Sequence, residues 1–203
     1  MSLRPSRPGH DLALVTAFTA LIAVCAILPG LKIGLPVPVT LQTFGVLLAG
    51  AVLGARRGFL AVTLYLVVGA AGLPVFSGGA AGLGVFQGPT MGYLLAFPFA
   101  AALCGFLVER LPRQKVASSV PLVFAAGFLS SALLIHTGGM AGLVWRLPTT
   151  WEGAWDIDKF FWAGDIVKNV VMALVATSVH RAFPDLLGTP RPVDRPERET
   201  IGA

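Results

Sequence analysis

Charge is what this sequence has least of: Asp, Glu, Lys and Arg together make up 12% of its 203 residues, against roughly 25% in a soluble domain. With 55% of the chain hydrophobic, that scarcity argues against a water-soluble fold and for a membrane protein. Other absences narrow the function. No G-x-x-x-x-G-K-[ST] occurs, so the chain does not bind ATP through a phosphate loop. No H-E-x-x-H occurs either, and His136 follows Ser130 and Ser131 without an acid nearby in sequence to complete a triad. The two cysteines, Cys25 and Cys104, sit inside apolar runs with no metal-ligand spacing around them. They read as small packing residues. Nothing in the pattern calls for a catalytic centre, a metal or a cofactor. The net charge of +5 comes from basic residues that form no stripe, which argues against a nucleic-acid partner.

What is present is a series of long apolar runs. A chain of this length accommodates about six bilayer-spanning helices of roughly 20 residues with short loops. The runs predict helices over Leu12–Leu28, Thr40–Gly54, Phe59–Leu73, Pro89–Val108, Val116–His136 and Phe160–Val179. Arg4 and Arg7 precede the first run in the manner of a secretory signal, but the run exceeds a usual signal core of roughly 7–15 residues. It reads as an uncleaved first transmembrane helix. The expected organisation is a cytoplasmic tail over residues 1–11, a six-helix membrane domain over 12–183 and a cytoplasmic tail over 184–203, rich in proline and charge.

Three connections stand out. Residues 29–39 carry three prolines and cannot form a regular helix. Residues 72–92 hold seven glycines and no charge; flexible linkers are usually polar, so this loop is expected to pack on something apolar. Residues 137–158 carry Trp145, Trp151 and Trp155 with Asp156 and Asp158, the composition of a membrane–water interface. With six helices, eleven of the fifteen Lys and Arg residues fall on the side of the two tails and of the segments around 56–57 and 110–115. Lys32, Arg146 and Lys159 fall opposite, and Lys168 lies inside the last helix. The positive-inside rule then puts both termini in the cytoplasm of a multi-pass inner-membrane protein, with the three unusual loops outside.

Asp165 and Lys168 carry the sharpest chemical signal. Three residues apart, they share one helix face. A charge placed within a membrane span costs about 2.5–3.5 kcal/mol and persists when a partner or a function compensates it. The pair reads as the polar floor of a solute pocket; an internal ion pair that stabilises the bundle would look the same. Gln42 and Gln87 are further candidates, because a carboxamide both donates and accepts and so suits a cyclic urea or amide. Tyr93, one turn into the fourth helix, fits either a ligand contact or an interfacial aromatic. On the first helix, Ala13 and Ala17 form a small-xxx-small surface that lets another helix come close.

Three segments together resemble a known family. PVPVTLQTFGVLLAGAVLGARRG (Pro36–Gly58), GLPVFSGGAAGLGVFQGPTMGYLLAF (Gly72–Phe97) and GDIVKN (Gly164–Asn169) are similar to the signature regions of the BioY family, the biotin-specific S components of energy-coupling factor transporters. The resemblance covers about residues 10–183. It implies an all-α S-component fold of six transmembrane helices and a biotin pocket near the outer side. Asp165 and Lys168 would supply its polar contacts, with Gln87 as the side-chain amide of the glycine loop. It also implies that Ala13 and Ala17 face a transmembrane coupling subunit linked to two ATP-binding subunits. An S component for another vitamin, such as lipoate or thiamine, is the alternative within this class, and a membrane enzyme the alternative outside it. Transport without a coupling module and self-association both stay open.

Overall fold

The computed structural model of the chain describes residues 8–30, 34 and 36–187. Arg4, Arg7, Lys32, Arg191, Arg195 and Arg198, which enter the charge count above, lie outside the described residues. The described chain is a helical bundle: α1 (Pro8–Ile27), α2 (Gln42–Leu53), α3 (Ala55–Ala70), α4 (Met91–Arg110), the single turn α5 (Arg113–Val116), α6 (Val120–Ser130), α7 (Thr137–Arg146) and α8 (Trp151–Ala182). A π-helical segment, Ser131–His136, joins α6 to α7, so that Val120–Arg146 is one continuous rod. Two short 3₁₀ turns, Ser77–Gly79 and Leu83–Gln87, shape the glycine-rich loop.

Helix α2 is the core of the bundle, packed against α1, α3, α4 and α8. From Gly45 to Leu53 every residue of it is buried, as expected of a helix with no polar face. The outer helices instead expose apolar side chains: Val24 on α1, Phe99 on α4, Leu133 on the joined rod and Val167 on α8. Such a surface is unstable in water and suited to lipid. Among the described residues, four helices, Gly9–Ile27, Met91–Arg110, Val120–Arg146 and Trp151–Ala182, are long and apolar enough to cross a membrane. Helix α2 is apolar but shorter.

Residues 137–158, expected as an interfacial loop, are instead mostly helical. The rod continues to Arg146, a short break follows, and α8 starts at Trp151, nine residues before the expected Phe160. Local chemistry explains the break. Pro148 cannot continue a helix, and the Thr150 side chain caps α8 by accepting from the Gly153 amide at 3.3 Å, satisfying one of the free N–H groups of its first turn. Glu152 at the start and Arg181 at the end complement the helix dipole.

The two ends of the bundle differ. At one end Arg57 pairs with Asp11 at 3.3 Å and donates to the carbonyl of Leu186, while Arg113 donates to the carbonyl of Pro184 at 2.8 Å. The start of α1, the start of α3, the α5 turn and the segment after α8 are thereby gathered into one basic surface. At the other end Arg146 donates to the Phe86 carbonyl at 3.1 Å and fastens the glycine-rich loop to the rod.

Candidate ligand-binding site

Below that loop lies a cavity of about 180 Å³. Its walls come from the proline-rich segment and the start of α2, the glycine-rich loop, α4, the π segment and α8. Phe76, Leu94, Phe97, Ile135 and Phe161 make most of the surface apolar. The glycine loop folds inward because Gly78, Gly79 and Gly82 all take positive φ, which side-chain-bearing residues rarely adopt. Phe76 is thereby tucked in, 1% exposed, edge-on to Tyr65 at 5.4 Å and to Phe86 at 5.7 Å.

The polar part of the wall is a connected ionic cluster. Lys168 Nζ donates to Asp165 Oδ1 at 2.7 Å. Thr43 Oγ1 donates to the same oxygen at 3.0 Å and lies 3.3 Å from Lys168 Nζ. Asp165 Oδ2 faces His136 Nε2 at 3.5 Å, and the other ring nitrogen, Nδ1, lies 2.8 Å from Asp158 Oδ2. Asp158 is fully buried and also accepts from Tyr93 Oη at 2.8 Å and from Trp162 Nε1 at 2.9 Å. The His136 ring stacks on Trp162, centroid to centroid 4.4 Å with 22° between planes. Burying charge without partners is prohibitive, and here every charge has several.

Local sequence builds this arrangement. On α8 the spacing of Asp158, Phe161, Asp165 and Lys168 recurs at three or four residues, placing all four on the face turned to the bundle. The π segment ends at His136 and, with its wider turn, re-aims the rod; such insertions are frequent at functional sites. On the next turn Gly139 makes room for Tyr93, since a Cβ there would overlap the phenol ring.

The structure brings Asp165, Lys168, Gln42 and Tyr93 together at the cavity wall. Gln42 is held by its neighbours: Nε2 donates to Tyr65 Oη at 2.7 Å, and Oε1 accepts from Thr40 Oγ1 at 3.1 Å. Tyr93 is buried rather than interfacial, its hydroxyl committed to Asp158. Gln87 is exposed on its 3₁₀ turn and does not line the cavity; Val85 and Thr90 do. Ala13 and Ala17 do not line the cavity and are exposed on α1. Sequence reasoning misses Thr43, His136, Asp158 and Trp162. For Asp158 and Trp162 a signal exists, the helical spacing to Asp165 once α8 is extended back to Trp151. His136 has none, because its acidic partners lie on another helix.

An apolar helical bundle with a small, mostly apolar cavity and an ion cluster in its wall is the architecture of a multi-pass membrane protein that takes up a small solute. Comparison with known proteins gives the family. The profile of the BioY family matches residues 3–185. The chain is 38% identical over 178 residues to the biotin transporter BioY of Rhizobium etli, covering 86% of this chain and 95% of that one. It is 39% identical over 191 residues to the biotin transporter BioY of Rhodobacter capsulatus, covering 88% and 97%. Its fold superposes with a TM-score of 0.80 and 26% identity on the crystal structure of the S-component for biotin from an ECF-type ABC transporter, covering 89% of this chain and 95% of that one. The chain belongs to the BioY family.

Proposed function

We propose that this chain is the biotin-binding membrane subunit of an energy-coupled uptake transporter in the bacterial cytoplasmic membrane. The observation that carries the reading is the cavity: an apolar chamber with the Asp165–Lys168 pair in its wall, in a chain whose relatives over nearly their whole length are named biotin transporters. Biotin is a compact apolar bicycle with one polar urea edge and an anionic tail. An apolar wall with a few fixed donors and acceptors suits it. Asp165 and Lys168 provide the ligand contacts, with Tyr93 and Gln42 shaping the wall around them. Gln87 has no place in that wall, and the reading gives it no contact. The chain acts as a transport subunit and carries out no reaction of its own.

Six passages through the bilayer follow from α1, α2, α3, α4, the α6–α7 rod and α8. Helices α2 and α3, with 12 and 16 residues, reach about 18 and 24 Å at 1.5 Å per residue, short of a core about 30 Å thick. The segment from Val37 to Leu41 completes the passage of α2, and irregular backbone at that depth is tolerated because it lines a cavity. The basic end of the bundle faces the cytoplasm with both termini, and the cavity opens outward. Biotin is captured under the two loops. The exposed Ala13–Ala17 face of α1 docks on a transmembrane coupling subunit, and two ATP-binding subunits drive reorientation.

Titration of the detergent-purified protein with biotin, beside lipoate and thiamine, tests this. Tight, selective, near-stoichiometric binding of biotin is expected. Folded protein that binds none of it would overturn the proposal, and preference for lipoate or thiamine would redirect it to another vitamin.

A further inference from the structure

On the outer surface of the bundle an open groove of about 360 Å³ runs between α4 and the α6–α7 rod. Its floor is bare backbone. A Cβ on Gly92 would run into the Gly138 carbonyl and the Gly142 backbone, and a Cβ on Gly142 would run into Gly92. The two helices touch main chain to main chain, and taller side chains rise on either side, Leu95 and Phe99 from α4 and Leu134 and Trp145 from the rod. Leu95, Phe99 and Trp145 are 48%, 58% and 73% exposed. The groove follows Met91 to Phe99 on one helix and Leu134 to Trp145 on the other, about 12 to 16 Å at 1.5 Å per residue. That is the depth of one leaflet, half of a hydrocarbon core about 30 Å thick.

A cation marks the end of the groove. The Arg146 guanidinium stands over the Trp145 ring at 5.2 Å and donates to Met91 Sδ at 3.3 Å, both of them groove residues. Nη2 also donates to the Phe86 carbonyl, whereas Nη1 makes no hydrogen bond within the described residues. Lys159 and Lys168 each hold an aspartate, but Arg146 holds no acid among the described residues. An arginine with a free N–H edge above an apolar furrow one leaflet deep is complementary to a lipid with a negative headgroup. We propose that this groove binds an anionic phospholipid of the leaflet at the cavity end of the bundle. One acyl chain lies along the glycine floor, and the headgroup phosphate accepts from Arg146 Nη1. The planar, permanently charged guanidinium matches phosphate geometry, and Trp145 beside it has the amphipathic ring that settles at headgroup depth. A second copy of this chain suits the face poorly. Two copies inserted the same way are related by an axis along the bilayer normal, which sets Arg146 opposite Arg146 at equal depth, and the groove offers no acid to separate them. Helix α1 contributes nothing to the groove, so a lipid there leaves Ala13 and Ala17 open. The inference rests on α4 and the rod crossing the bilayer and not on what the cavity binds.

Tryptophan quenching by brominated lipids tests it. The protein is reconstituted into phosphatidylcholine vesicles doped with brominated phosphatidylglycerol or with brominated phosphatidylcholine. Comparison with Trp145→Phe isolates the groove signal from the other three tryptophans. Phosphatidylglycerol should quench Trp145 at about one-fifth of the mole fraction that phosphatidylcholine needs, the gain expected of one arginine at an anionic headgroup. Arg146→Gln should abolish that preference and leave quenching by phosphatidylcholine in place. Ala141→Phe fills the groove from an exposed position and should weaken quenching by both lipids, which keeps the test open should Arg146→Gln fail to fold. Equal quenching by the two lipids in wild-type protein, or a preference that survives Arg146→Gln, would overturn the proposal. So would a preference erased by millimolar glycerol phosphate, which would make this a site for a free anion. Cross-linking between copies through Ala141→Cys in membranes would show that a second copy covers the groove, and would overturn it as well.

Discussion

Lys168 Nζ sits 2.7 Å from Asp165 Oδ1, one turn along the same helix, and both side chains are nearly buried, at 12% and 6% exposure. Removing one member of such a pair strands the other charge, at a cost of about 3–5 kcal/mol, whereas replacing both by neutral groups of similar shape is often tolerated. Asp165→Asn and Lys168→Met should therefore each lower the thermal unfolding temperature of the purified protein and weaken biotin binding markedly. The double variant should recover most of the stability while remaining deficient in binding. Recovery of binding along with stability would show that the pair is an internal brace rather than a ligand contact.

Gly139 is set against the ring of Tyr93, and any Cβ at that position would overlap it. The phenol must then move, and with it the hydroxyl that holds Asp158. Gly139→Ala should weaken biotin binding although residue 139 does not line the cavity, and Gly139→Val should do so more severely. Gly164→Ala is the control, because Gly164 has nothing near its missing Cβ. Its binding should match wild type; equal loss in both alanine variants would mean that the Gly139 effect is a general one on helix packing.

What is legible in the sequence follows from where the physical signal resides. Asp165 and Lys168 are visible because a charge inside an apolar run is anomalous whatever the fold. The glycine loop is visible because seven glycines without a charge do not describe a linker. The start of α8 is not visible: Trp155, Asp156, Asp158 and Lys159 look interfacial by composition, yet they belong to a helix whose buried face carries Ala154, Asp158 and Phe161. Reading that stretch as a loop hides the register that joins Asp158 to Asp165. His136 is hidden for a different reason. Its partners are acids 22 and 29 positions away in sequence, on the far side of a helix break and reached through a π turn. Pairings between helices are a property of the packing, and single-chain periodicity does not contain them.

The exposed face of α1 carries a separate prediction. Ala13 and Ala17 are exposed on one face, while the opposite face is tied to α3 by the hydrogen bond from Thr19 Oγ1 to the Ala61 carbonyl at 2.9 Å. Enlarging both positions with Ala13→Trp and Ala17→Trp should leave biotin affinity of the isolated subunit unchanged. It should abolish ATP-dependent biotin accumulation by cells expressing the coupling subunits, because close helix approach requires small side chains. Loss of affinity in the isolated subunit would place these residues in internal packing instead.

The orientation of the bundle is open to direct chemical test because its two native cysteines are shielded. Cys25 is 5% and Cys104 0% exposed, so neither should react with a membrane-impermeant maleimide in intact cells. Engineered cysteines then report on each end. Glu152→Cys lies in the first turn of α8, at the end that holds the cavity, and Ser118→Cys lies beside the short α5 turn, at the basic end; both native residues are exposed. If the cavity faces outward, position 152 labels in intact cells and position 118 labels only after the membrane is permeabilised. The reverse pattern would place the basic end outside, against the charge bias that sets membrane topology, and would make the cavity an exit site rather than a capture site.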